Sequence, residues 1–82
     1  MHTYPDPWDH VRAYTPRNKR ERAVLDVAMS YARAYTTREV CTETGLHAQT
    51  VAYILMSAGW PRNFHPAHGN ISIWSPYKKS AP

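Results

Sequence analysis

The triplet Thr44-Gly45-Leu46 breaks residues 36–58 into two short helices, and no other feature constrains the chain as much. Thr36 followed three residues later by Glu39 is a capping box, in which a hydroxyl and a carboxylate satisfy free amides at a helix start. A helix is therefore predicted over Thr37–Thr44, with Val40 and Cys41 facing inward. Gly45 suits the left-handed position that ends such a helix, and Leu46 suits the hydrophobic contact that follows it. A second helix is predicted over 48–58, with Val51, Leu55 and Ala58 on its buried line and Ile54 beside them. His47 stands at its cap position, where Ser, Thr or Asp is usual, and Gly59 stops it. Segments 60–64 and 70–74 read as two strands of a hairpin. Pro66 and Gly69 supply the turn chemistry between them.

Upstream, Thr15-Pro16 reads as an N-cap followed by a first-turn proline. Val24, Val27, Ala28, Tyr31 and Tyr35 recur at helical spacing, with Leu25 and Ala32 widening the stripe. The spacing predicts an amphipathic helix over 16–34. Arg17, Lys19, Arg20 and Arg22 crowd its start, where cations oppose the helix dipole; a bound anion would offset that cost. Residues 1–15 carry Pro5 and Pro7 and read as an extended N-terminal arm, with Trp8 and Tyr14 able to dock on the domain or a partner. The domain is set at 16–76, and 77–82 form a basic C-terminal tail with Lys78 and Lys79. The expected core is Val24, Leu25, Ala28, Tyr31, Val40, Leu46, Val51, Leu55 and Trp74.

A chain of 82 residues makes one domain, and one this size buries only about 60% of the surface its unfolded form exposes. Cys41 is the single cysteine, so no disulfide framework is available and a reducing compartment fits. The chain has no long apolar run and no signal-peptide pattern, so the expectation is a cytoplasmic protein without a membrane partner. Homodimerisation is a candidate source of added stability. The net charge of +4 favours a polyanionic partner. Six Tyr and three Trp equally suit a protein interface.

The chemistry of catalysis is hard to find. His65 and His68 form a His-x-x-His pair, but a zinc site needs three or four ligands. Cys41 has no readable base partner and reads as a small core residue. Asp6, Asp9 and His10 lie in the proline-broken arm, and no glycine loop is suited to phosphate. The expectation is a protein that is not an enzyme and needs no metal or cofactor.

Thr37-Arg38-Glu39-Val40, Thr44-Gly45-Leu46, Gln49-Thr50-Val51, Leu55 and Gly59-Trp60 together resemble the winged helix-turn-helix family of DNA-binding domains, in particular its small bacterial and phage forms. With the upstream helix included, the resemblance covers about two thirds of the chain. It implies a mainly α fold of three helices plus a small β-hairpin, the two-stranded wing. It also implies that the second helix of the pair, the recognition helix, enters the major groove of double-stranded DNA. Ala48, Gln49, Thr50, Ala52, Tyr53, Met56 and Ser57 would face the groove. Gln49 would pair with adenine, Thr50 would meet a phosphate or a thymine methyl, and Tyr53 would reach a phosphate. Around them, Arg38, His47, Arg62, His65, Lys78 and Lys79 complete the implied DNA-binding set. The implied role is a transcriptional regulator or replication accessory factor of phage or mobile-element type. The recognition helix itself has no Lys or Arg. An uncharged helix exposing Tyr53 and Met56 suits the alternative, a winged-helix protein that binds and inhibits a protein target such as a host nucleic-acid enzyme or a CRISPR complex. RNA or single-stranded binding through exposed aromatics is a third option.

Overall fold

The computed structural model describes residues 8–67, 69 and 71–77. Among them are four helices, α1 (Trp8–Ala13), α2 (Lys19–Ser30), α3 (Thr37–Thr44) and α4 (Ala48–Ser57), and three short strands, β1 (Tyr35–Thr36), β2 (Arg62–Phe64) and β3 (Ser72–Trp74). The fold is mainly helical with a small antiparallel sheet of order β1-β3-β2. That is one helix and one strand more than the sequence leads one to expect.

The additional helix is α1. Trp8 follows the last proline of the N-terminal stretch, so Pro5 and Pro7 do not bear on what comes after them. Asp9 and Arg12 pair across one turn at 2.9 Å. Trp8 and Val11, three residues apart, are both buried. The expected extended arm is therefore wrong for 8–13, while the docking of Trp8 on the domain holds. Trp8 sits edge-on to Trp60 at 5.4 Å and to Tyr77 at 5.3 Å between ring centroids.

The expected Thr15-Pro16 helix start is also corrected. Helix α2 begins at Lys19 with Asn18 as its cap, and the Asn18 side chain accepts the Glu21 amide at 2.9 Å. Glu21 reaches back to accept the Arg17 amide at 3.0 Å. An amide acceptor at the cap and a carboxylate three residues on satisfy two free donors at once, which a start at Pro16 would forgo. The helix stops at Ser30 rather than 34, because Tyr35 is taken by the sheet. Tyr35 pairs with Trp74 and Thr36 with Ile73. Tyr31, no longer helical, stacks on Tyr35 at 4.7 Å.

The α3–α4 pair follows its sequence signals closely. The Glu39 amide donates to Thr36 Oγ1 at 3.3 Å, and Gly45 takes φ 75° with its amide on the Cys41 carbonyl at 2.7 Å. The Glu39 carboxylate grips the Arg33 guanidinium through both oxygens, at 3.1 and 3.2 Å. As expected of a poor cap, His47 makes no side-chain capping bond. The core joins Val24, Leu25 and Ala28 of α2, Val40 of α3, and Val51, Ile54 and Leu55 of α4, closed by Ala58, Trp60, Trp74 and Tyr35. Tyr31 and Leu46, expected inside, are half-buried at its margin.

Both strands of the hairpin are shorter than expected. Arg62, Asn63 and Phe64 pair with Trp74, Ile73 and Ser72. The Trp74 indole donates to Thr37 Oγ1 at 2.8 Å and ties the hairpin to the start of α3. The Trp60 indole donates to the Ser75 carbonyl at 2.8 Å and ties it to the end of α4. Two buried indoles thus fix the hairpin relative to both helices. Among the described residues no helix is long and apolar enough to cross a membrane.

Candidate nucleic-acid interface

Where α3, α4 and the hairpin converge they leave an open groove of about 630 Å³. One side is the first turn of α3, with Thr36, Thr37 and Arg38. The floor is the exposed face of α4, with Ala48, Gln49 and Ala52, which the helical period places on one stripe. Arg62 of β2, together with Ile71 and Ser72, forms the far side.

Two cations therefore border the groove; like Arg20 and Arg22, and unlike three other arginines, they are not paired with a carboxylate among the described residues. Arg12, Arg17 and Arg33 are spent on carboxylates within the protein. Among the described residues, Arg38 and Arg62 form no ion pair. Arg62 is nonetheless well held. Its Nε donates to Ser72 Oγ at 3.0 Å, and its Nη1 approaches Met56 Sδ at 3.2 Å. Its guanidinium lies over the Phe64 ring at 4.9 Å and the Trp74 ring at 5.6 Å. Cation–π contact stabilises the charge without neutralising it, so Arg62 presents a positive group whose rotamer freedom is already spent.

Arg38, Gln49 and Arg62, expected to contact DNA, are brought together here. Tyr53 is exposed on α4 but lies outside the groove lining. Thr50 is half-buried and lies outside the groove lining. His47 and Ser57 are exposed at opposite ends of α4, also outside it. His65 is engaged locally, its Nδ1 accepting the Ala67 amide at 3.1 Å. Lys78, Lys79 and His68 lie outside the described residues. The expected basic cluster at the start of α2 is partly spent, because Arg17 is paired with Glu21 at 3.1 Å.

Ile71 and Ser72 were not expected in the site. Ile71 stands just before β3 and Ser72 opens it, and a strand of three residues has no periodicity to mark which side chains face α4. Most of the exposed large apolar side chains stand on the same elements, though only Ile71 lines the groove. Tyr53, Met56, Phe64 and Ile71 all stand on α4 or the hairpin, with Met29 elsewhere on α2. Arg62 bridges Met56 and Phe64, so those two form one patch.

The remaining titratable chemistry is structural. Tyr14 donates to Glu21 Oε1 at 2.6 Å. That bond, with the Arg17 amide, holds the Glu21 carboxyl below the usual carboxylate range, and it raises the Tyr14 phenol. Burial pushes the Cys41 thiol up, which disfavours the reactive thiolate. Among the described residues no group of three or more His, Cys, Asp or Glu could hold a metal ion. Compared with family models, curated proteins and solved structures, the chain matches none.

Proposed function

We propose that this chain is a small winged helix-turn-helix protein that binds double-stranded DNA, with α4 as recognition helix and the β2–β3 hairpin as wing, acting in transcriptional control or as a replication accessory factor. The observation that carries the reading is that Arg38 and Arg62, from separate elements, flank one groove whose floor is the polar-to-apolar stripe of α4. Phosphate charge dominates DNA affinity. A neutral α4 is compatible with it because the cations stand beside the helix rather than on it. The indole bonds from Trp74 and Trp60 keep hairpin and helix in fixed relation, which supports simultaneous contact by both.

The test is titration of random-sequence duplex DNA at increasing salt. Affinity should fall linearly on a logarithmic plot, with a slope of roughly −0.9 per phosphate neutralised. Absence of binding at low salt would overturn the proposal. A second reading is favoured by one specific observation, the exposure of Tyr53 at 65%, Met56 at 55% and Phe64 at 55%. Aromatic anchors of this kind carry protein interfaces, so a protein target is the alternative. Under it, Tyr53→Ala would abolish capture of that target while duplex binding stays weak and insensitive to Arg38.

A further inference from the structure

We infer that the groove discriminates base pairs, selecting A·T over G·C through Gln49 and through apolar contact with the thymine methyl. The inference rests on the duplex-DNA reading above and adds what the groove would recognise. In the major groove, adenine presents N7 as acceptor and its N6 amino group as donor, and thymine presents O4 and a C5 methyl. Gln49 carries the matching pair, an amide oxygen to accept from N6 and an amide nitrogen to donate to N7. It is exposed on the groove floor and makes no side-chain hydrogen bond among the described residues.

The surroundings of Gln49 set the choice. Ala48 precedes it and Ala52 follows three residues later on the same stripe, and Ile71 faces them from the hairpin side. Ile71 is 38% exposed, so its side chain offers apolar surface to an occupant. Three apolar side chains around one amide suit a methyl group. These three side chains offer the cytosine amino group no acceptor of their own, so its donor would lose water against them. No Asp or Glu lines the groove to accept from cytosine. Of the two arginines, Arg62 is engaged by Ser72, Met56 and two aromatic rings, which fits a phosphate contact better than insertion to a guanine edge. The methyl contact would fall to Ala48, Ala52 and Ile71, which line the groove.

The experiment compares three duplexes of equal length at one low salt concentration by fluorescence anisotropy. These are alternating A·T, the same duplex with deoxyuridine replacing thymine, and alternating G·C. Deoxyuridine removes only the methyl group. The native protein should favour thymine over uracil by about fourfold for each methyl in contact, and A·T over G·C by at least about fivefold. Gln49→Ala should collapse the A·T preference, weakening binding to A·T more than to G·C, and Ile71→Ser should collapse the thymine preference. Equal, salt-sensitive binding of the native protein to all three duplexes, or tighter binding to G·C, would overturn this inference and leave the DNA-binding reading standing. Retention of both preferences in both variants would also overturn it, by moving readout off this groove. No salt-sensitive binding to any duplex would overturn both.

Discussion

Two residues in the interior illustrate how differently a buried polar group can be accommodated. The Tyr35 side chain is buried at 1% exposure, and its hydroxyl finds no partner among the described residues. Burial pushes its phenol well above the usual range. A buried hydroxyl without a partner costs about 1–3 kcal/mol, so Tyr35→Phe should raise the melting temperature while keeping the stack on Tyr31. A thermal melt that falls by several degrees would show that the hydroxyl is bonded in solution. Glu21 is the opposite case. It is 6% exposed and accepts from Tyr14, from the Arg17 amide and from the Arg17 guanidinium. Its folded carboxyl sits below its ordinary value of 4.5. Its stabilising contribution is therefore complete above that value and is lost as the pH falls through the lower folded value. Glu21→Gln should be less stable than the native chain at neutral pH. The gap in melting temperature should then narrow on acidification from about pH 5 to about pH 3. A gap that does not change with pH would mean the carboxylate charge contributes nothing.

At the level of elements, the junctions are more demanding than the elements themselves. Gly45 and Gly59 both adopt positive φ, 75° and 83°, yet their settings differ. A Cβ at Gly45 would meet nothing within 4 Å, whereas at Gly59 it would lie 2.7 Å from the His10 Cβ of α1. Left-handed backbone alone costs a non-glycine residue about 1–2 kcal/mol. Gly45→Ala should lose roughly that amount, and Gly59→Ala distinctly more, because α1 must also shift. Urea denaturation of both variants checks the order; equal losses would mean that α1 does not pack on the turn after α4. The hairpin poses a functional question. Arg62 holds its place on the surface through Ser72, Met56 and two rings. Under the proposed function, Arg62→Ala and Arg38→Ala should each weaken duplex binding on all sequences and reduce the salt slope by about one. Unaltered affinity in the double variant would remove both from the interface.

Across the whole molecule, the decisive association is among rings far apart in the chain. Trp8 of α1, Trp60 after α4, Tyr35 of β1 and Tyr77 beyond β3 meet in T-shaped contacts, with Trp60 and Tyr77 tilted, at centroid separations of 5.3–6.4 Å. A small domain has little stability to spare, and this cluster joins Trp8 and Tyr77 to the helical core. Trp8→Ala should cost about 3–5 kcal/mol, the usual loss for a buried Trp or Phe, enough to unfold much of the population at physiological temperature. A denaturation midpoint unchanged by that substitution would return residues 8–13 to the status of a free arm.

What the amino-acid sequence determined by itself is local. The Thr36 cap, the Gly45 stop and the Val51–Leu55–Ala58 line each depend on residues within one or two turns of one another, so α3 was legible to the residue and α4 to within one residue at its end. The Asn18–Glu21 cap was equally local, and the more familiar Thr15-Pro16 pattern obscured it. The tertiary structure alone decided the rest. Strand β1 is two residues long, too short for any period to register, and exists because Trp74, thirty-nine positions after Tyr35, supplies its partner. Helix α1 is six residues long, below the length at which a helix persists unaided, and it is held by Trp60 and the Gly59 turn. Arg38, Gln49 and Arg62 could be nominated as binding residues from their types. Their convergence, with Ile71 and Ala52 lining the same groove, follows from strand pairing and two indole hydrogen bonds, which act between residues that no local pattern connects.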